Sequence, residues 1–276
     1  MKKIVILYSG GLDSFIMKEL AKSKGYEVKL LHYDIGQGYS EKELKAIKDS
    51  GEDVEIRTVD WLKPNEELSG KQENNSGNIF IPGRNMVLAS LAASAFLPDE
   101  VWMGGLKGED HDKATDKNKK FIDKTNELWS YVYSPFDTVP KLVFPLVEQN
   151  WGKFEAVKWL YEEAKISKDE ILKTSSCLSD SSSKNCGHCV VCCRRKYIFK
   201  QLGFEEEYEN DPLTGIDNLK MLTEMIATDH LEDSEIHYDH WRRNEILPGL
   251  KIEFGTDDLG SIKNDLQRRL NELEKS

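Results

Sequence analysis

The sequence predicts an α/β protein built on a doubly wound parallel sheet. Two observations carry that expectation. Short apolar runs rich in β-branched residues alternate with stretches of helical period, the pattern of βαβ units. The first such run, Ile4-Val5-Ile6-Leu7-Tyr8, passes through a Gly-Gly turn straight into the first helical stretch. Strands are expected at 3–8, 28–33, 54–59 and 101–103. Helices are expected between and after them at 13–24, 41–49, 85–96, 119–131, 154–164, 190–202, 218–227 and 259–273. Ligands of such sheets sit at the carboxyl ends of the strands. Three loops should therefore converge there, 9–14, 34–38 and the segment from Gly104 onward.

The chain has 276 residues, 39% of them apolar and 32% charged, enough for one large α/β domain with an appendage. No stretch approaches the roughly 20 apolar residues of a membrane span. Two N-terminal lysines precede too short an apolar run for a signal peptide, so a cytoplasmic location is the default. The net charge of −11 is unevenly placed: residues 205–276 carry 19 Asp and Glu against 8 Lys and Arg, while 1–204 carries 30 of each sign. A neutral body with an acidic end argues against strong non-specific nucleic-acid binding, which needs basic surface. We divide the chain into an α/β domain, 1–204, and an acidic, mainly helical extension, 205–276. The extension includes the aromatic-rich His237-Tyr238-Asp239-His240-Trp241.

The turn is Ser9-Gly10-Gly11-Leu12-Asp13-Ser14. A strand entering a helix through two glycines presents unpaired backbone N–H groups to an anion, and Ser9 and Ser14 add hydroxyl donors. Alone, the same residues also fit a tight turn capped by serines. The loop is not a Walker A sequence, since no lysine follows its glycines. Asp13 falls in the first helical turn, where a carboxylate can hold Mg²⁺ or orient the loop.

All five cysteines lie between 177 and 193. Clustering within an α/β chain reads as a metal site, whereas a disulfide framework would spread them. Cys177, Cys186, Cys189 and Cys192 supply four thiols at spacings suited to one tetrahedral Zn²⁺, with Gly187 permitting the turn. A closed four-thiolate shell is structural, so zinc is not expected to catalyse. Cys193 should point elsewhere as a packing cysteine, and His188 is not needed as a ligand. Asp110, Asp112 and Asp116 read as a solvated charged loop. His230, His237 and His240 match no familiar zinc spacing.

Ser9–Ser14 resembles the PP-loop of ATP pyrophosphatases, which split ATP between its α- and β-phosphates. It is followed by Tyr33-Asp34-Ile35-Gly36-Gln37, by Phe80-Ile81-Pro82-Gly83-Arg84-Asn85, and by the cysteine knuckle with Arg195 and Phe199 beyond it. In that order residues 1–204 resemble the 7-cyano-7-deazaguanine synthase (QueC-like) family. The resemblance implies a PP-loop/HUP-like fold and an ATP-dependent ligase that turns 7-carboxy-7-deazaguanine and ammonia into a nitrile through an acyl-adenylate. It also implies a homodimer and a place in queuosine-type biosynthesis. Nucleotide binding would fall to Tyr8, Ser9, Gly10, Gly11, Leu12, Asp13, Ser14, Tyr33, Gly36 and Gln37, with adenine near Leu31–Asp34. Ser9, Asp13, Ser14 and Arg84 would serve catalysis.

The chain departs from the family pattern where Gly38-Tyr39 replaces the usual Arg-His, along Lys107–Lys117, where only Asp116 and then Phe121 align, and in its added tail. Two other readings stand beside this one. One is a paralogue that adenylates another carboxylate or joins the deazaguanine to a protein or nucleic-acid acceptor. The other is a non-catalytic zinc module that senses nucleotide.

Overall fold

The computed structural model describes residues 1–36, 40–62, 81, 83–109, 115–179, 185–229 and 240–275. The expected features at Gln37, Gly38, Tyr39, 63–80, Pro82, 110–114 and 230–239 lie outside the described residues. The chain forms two compact units, Met1–Ser175 and Ser176–Ser276. The knuckle segment thus falls in the same unit as the acidic residues that follow it, whereas the division at 204 followed composition and family length.

The first unit holds a five-stranded parallel sheet in the order β3-β2-β1-β4-β5. The strands are β1 (Lys3–Leu7), β2 (Glu27–Asp34), β3 (Val54–Thr58), β4 (Glu100–Trp102) and β5 (Lys141–Val143). β1 lies at the centre, with Ile4 opposite Val28 on one side and Glu100 on the other. Ile4, Val5 and Ile6 are all at most 2% exposed, which is why this run is apolar without alternation. Tyr8, Val59 and Met103 lie just past their strands yet keep ladder-type bonds to Leu31, Asp34 and Val143.

The crossings between strands are made by α1 (Leu12–Ser23), α2 (Ser40–Ser50), α3 (Arg84–Phe96) and α4 (Lys119–Val132). α3 brings Ala89, Ala92 and Ala93, all fully buried, into one cluster with Val5, Leu31, Val101 and Trp129. Small side chains let this helix lie close on the sheet. β5 was not foreseen. Its three residues, with Pro140 before and Pro145 after, are too short for a periodic signal. It is held by pairing with β4 and by Asn126, whose amide accepts from Leu142 N at 2.7 Å and donates to Leu142 O at 3.0 Å. One side chain thereby satisfies both backbone groups on an edge strand. Short helices α5 (Pro145–Glu148), α6 (Lys153–Glu162) and α7 (Lys168–Leu172) complete the unit.

The second unit is helical: α8 (Val190–Gln201), α9 (Ile216–Ala227), α10 (Leu247–Phe254) and α11 (Leu259–Leu273). Tyr197, Leu219, Leu222, Ile246, Leu250, Ile262 and Leu266 are its fully buried core, and Cys193 packs among them. A π-helical stretch, Trp241–Ile246, leads into α10. It buries Glu245 against Arg194, whose guanidinium carbon lies 3.6 Å from the centre of the Trp241 ring. Trp241 is half-buried beneath that cation.

α10 meets α8 through Gly249, where a Cβ would lie 2.2 Å from the Tyr197 carbonyl oxygen. Rigid backbone cannot yield to that overlap. Gly249→Ala should therefore destabilise the second unit by about 2 kcal/mol, read as a lower midpoint in denaturant unfolding.

Candidate active site and metal centre

The loop between β1 and α1 is shaped by Gly10, whose φ of +71° is open to glycine. A Cβ there would also lie 2.9 Å from both Ala46 Cβ and Ile47 N of α2. The loop is braced from within. Ser14 Oγ donates to Gly11 O at 2.8 Å and accepts from Ser9 N at 3.3 Å, while Gly11 N donates to Ser9 Oγ at 3.3 Å. It is braced from outside by Ser175 N, which donates to Gly10 O at 3.4 Å. No side chain caps α1 at Gly11. The first-turn N–H groups of Leu12, Asp13 and Ser14 therefore face the loop as the positive end of a helix, a ready anion site.

Beside the loop, at the ends of β1, β2 and β4, lies a cavity of about 190 Å³. Leu7, Leu31, Ile35, Leu88 and Met103 give it apolar walls, and Ser9, His32, Tyr33, Glu43, Arg84 and Asn85 give it polar groups. It opens where the strand order reverses between β1 and β4, the place where doubly wound sheets take their ligands. Four residues named from sequence, Tyr8, Ser9, Tyr33 and Arg84, meet here. Arg84 opens α3 after Gly83 in the left-handed conformation, so the turn that starts the helix also aims its first residue. Gly36 is exposed in a turn held by its N–H donating to Asp34 Oδ1 at 3.0 Å, and it does not line the cavity. Leu12 is buried in the core at the start of α1.

Three further groups were not foreseen. Lys153, the first residue of α6, is buried and places Nζ 3.2 Å from Asp13 Oδ2. A lysine absent from the loop's own sequence thus reaches it from 140 positions away. The other carboxylate oxygen, Asp13 Oδ1, is buried with no hydrogen-bond partner. That orphaned anionic oxygen beside an anion-binding loop fits a cation such as Mg²⁺. Glu43 of α2 is pushed up to about 7, first by burial and further by Asp34, with Arg84 opposing. His32 sits mid-strand, and burial lowers its pKa against the opposing Tyr8 carbonyl and Asp34. In the sequence, only the polar break in Leu30-Leu31-His32-Tyr33 hinted at it. Nothing local marked Glu43 or Lys153.

In the second unit the sulfurs of Cys177, Cys186, Cys189 and Cys192 all lie within 4.8 Å of one another. Cys186 and Cys192 are 3.9 Å apart, close to the edge of about 3.8 Å that a tetrahedron of 2.3 Å metal–sulfur bonds requires. Backbone N–H groups of Ser179 and Cys186 point at Cys177 Sγ, that of Cys189 at Cys186 Sγ, and that of Cys192 at Cys189 Sγ, each at 3.4 Å. Such donors favour thiolates. Gly187 turns the chain at φ +79°, and a Cβ there would lie 1.8 Å from Asn210 O.

Without a cation the four sulfurs compete for protons. Cys177, accepting from Cys189 and Cys192, is held far below an ordinary thiol, while Cys192, donating to Cys177, is pushed far above one. Burial raises Cys186 to about 11. A divalent metal would hold all four as thiolates, and the cluster is compatible with a metal such as zinc. Arg195 backs it: the buried guanidinium pairs with Glu206 at 2.8 Å, donates to Ser176 Oγ at 3.1 Å and stacks on Phe199. Cys193 stands apart in the helical core, its thiol raised by burial.

Sheet order, Gly-Gly loop and switch-point cavity define a HUP-like α/β nucleotide-binding protein of the PP-loop class. The family described as queuosine biosynthesis protein QueC matches residues 3–203, and the chain belongs to that family. A 7-cyano-7-deazaguanine synthase of Methanococcus maripaludis is 31% identical over 233 residues, covering 75% of this chain and 97% of the relative. One of Methanocaldococcus jannaschii is 28% identical over 234 residues, covering 75% and 98%. The family implies use of ATP. No helix among the described residues is long and apolar enough to cross a membrane.

Metal analysis of purified protein should find zinc that is lost in Cys189→Ser and kept in Cys193→Ser. Retention in Cys189→Ser would exclude that ligand set. Glu43 supplies a second check. Its folded pKa lies above an ordinary carboxylate, so the folded state holds its proton more tightly and loses stability as pH rises from about 4.5 to about 7. Glu43→Gln removes that cost. It should stabilise the first unit by on the order of 1 kcal/mol at pH 8 and by little at pH 4.5, read from paired unfolding curves.

Proposed function

We propose that this chain converts 7-carboxy-7-deazaguanine and ammonia to 7-cyano-7-deazaguanine, with ATP cleaved to AMP and pyrophosphate. The observation that carries the reading is the family match across residues 3–203, which spans the loop, the cavity walls and the four cysteines together.

The chemistry suits the geometry. A carboxylate is a poor electrophile, because attack must build charge on an anion. Its oxygen attacks the α-phosphorus, pyrophosphate leaves, and the acyl-adenylate gains a good leaving group. Ammonia displaces AMP to give the amide. The amide oxygen then attacks the α-phosphorus of a second ATP, and loss of AMP and a proton gives the nitrile. The first-turn N–H groups of α1 and the hydroxyls of Ser9 and Ser14 would hold the departing pyrophosphate, with Lys153 adding positive charge beside Asp13. Mg²⁺, held by Asp13, would offset phosphate charge. Arg84 would steady the adenylate from the cavity side, and Glu43, titrating near neutrality, can take up a proton there. Tyr8 to Ser14, Tyr33, Gly36 and Gln37 would form the nucleotide site.

We assign the four thiols one structural zinc per chain. Residues 205–276 would be an extension to the family body, the working form a homodimer, and the location cytoplasmic, where clustered thiols stay reduced. A paralogue acting on another carboxylate remains as a second reading, favoured by the departure of Lys107–Lys117 from the family pattern.

Nucleotide chromatography with the deazaguanine carboxylate and ammonium should show AMP and pyrophosphate, two AMP for each nitrile. ADP as the main product would refute the PP-loop assignment. AMP formed only with a different carboxylate would select the paralogue. Asp13→Ala should lower pyrophosphate release by at least about a hundredfold with the fold intact by circular dichroism. Equal release by variant and parent would remove Asp13 from the site.

A further inference from the structure

We propose that Glu43 is the ammonia site of the reaction: its carboxylate binds ammonium in the cavity beside the phosphate loop and takes one of its protons, which frees ammonia to attack the acyl-adenylate. The inference rests on the reaction proposed above and adds a catalytic residue to it.

Two opposite charges share the cavity without meeting. Glu43 comes from α2 and Arg84 from the start of α3, and both line the space that Ser9 borders. The guanidinium acts on the carboxyl electrostatically, yet the two form no ion pair, and Glu43 makes no hydrogen bond among the described residues. Asp34 of β2 is the other charge that acts on it, by repulsion. Glu43 is half-buried, and neither of its oxygens is sealed from the surface. A half-buried carboxylate without a partner is costly, and an ion pair with Arg84 would offset that cost. The two groups instead stand apart around one space and leave the carboxylate open to a ligand.

An open carboxylate takes a cation or an N–H donor. One substrate of the proposed reaction is a cation: ammonia is almost wholly ammonium near neutral pH, and ammonium has no lone pair with which to attack. The N–H groups of adenine and of the deazaguanine would ask for an acceptor that stays ionised. Burial, with Asp34 adding and Arg84 opposing, instead pushes Glu43 up to about 7, which suits a group that alternates between its two forms. In the step, one proton passes from ammonium to the Glu43 carboxylate. The nitrogen lone pair then attacks the acyl carbon, the bond from that carbon to the phosphate oxygen breaks, and AMP departs with the electron pair. The surplus proton on nitrogen leaves with the AMP phosphate, and Glu43 returns its own to water.

Amide formation by the parent protein tests this without a substitution. With ATP and the deazaguanine carboxylate saturating, the KM counted as total ammonium should change by less than about twofold from about pH 7.5 to about pH 9, because the site takes the cation. A fall of about tenfold per pH unit would mean that free ammonia enters from solution, and would overturn the proposal. In Glu43→Gln the KM should rise at least about tenfold and follow free ammonia. Hydroxylamine is already neutral over this range and should bypass the residue, so that hydroxamate formation by Glu43→Gln falls by less than about threefold. An equal loss with both nucleophiles, or a KM rise confined to ATP or to the deazaguanine carboxylate, would also overturn it. Pyrophosphate release by the parent with the deazaguanine carboxylate is followed in parallel. Its absence counts against the reaction itself, whereas its presence with a free-ammonia profile removes Glu43 alone.

Discussion

The parallel pairing of β1 with β2 on one side and β4 on the other is the constraint on which the catalytic unit depends. After β1 the chain builds outward through β2 and β3, then returns across the sheet to lay down β4 and β5. Two neighbouring strands therefore send their connections to opposite faces, and a gap opens at their carboxyl ends. The Gly-Gly loop emerges at that gap because it follows β1. The cavity is there because no crossing segment fills the space. α2 fixes the loop from the side, and its contact with Gly10 leaves no room for a side chain.

Charge in this site is arranged by burial as much as by sequence. Helix N–H groups and Lys153 make the loop attractive to anions, while Asp13 keeps one oxygen on Lys153 and leaves the other without a partner. A few residues away the cavity holds a neutral imidazole, a carboxyl near its titration point and an arginine. The fold thus sets a polar helix terminus beside a mixed polar and apolar cavity among the strand ends.

The cysteine cluster follows a different logic. Its sulfurs are gathered by backbone, through N–H···S contacts and a glycine turn pressed against Asn210, within 4.8 Å of one another, a spacing compatible with one metal ion. Behind it, α8 carries Cys192 toward the cluster and Cys193 into the helical core. Adjacent cysteines thus enter two different clusters from one helix, about 100° apart around its axis. The four-thiol cluster and the acidic helices belong to the same unit.

Much of this was legible in the chain. Runs rich in β-branched residues located β1 to β4, although only the central β1 is an unbroken apolar run buried on both faces while the edge strand β3 is half-exposed, and the period of the last helix matches Leu259–Leu273 to the residue. The Ser9–Ser14 loop and the four clustered cysteines could be read because their chemistry depends on residues close in sequence. Tertiary structure alone decided the rest. β5 is three residues that become a strand only beside β4 and Asn126. Lys153 reaches Asp13 only because α6 packs on α1. Glu43 looks like any charged helix residue until burial raises its pKa, and His32 becomes an acceptor only when a carbonyl on the neighbouring strand fixes its tautomer. Local sequence determines motifs whose atoms meet through a turn. Groups whose role comes from a distant neighbour, or from loss of water, acquire it only when the chain has closed around them.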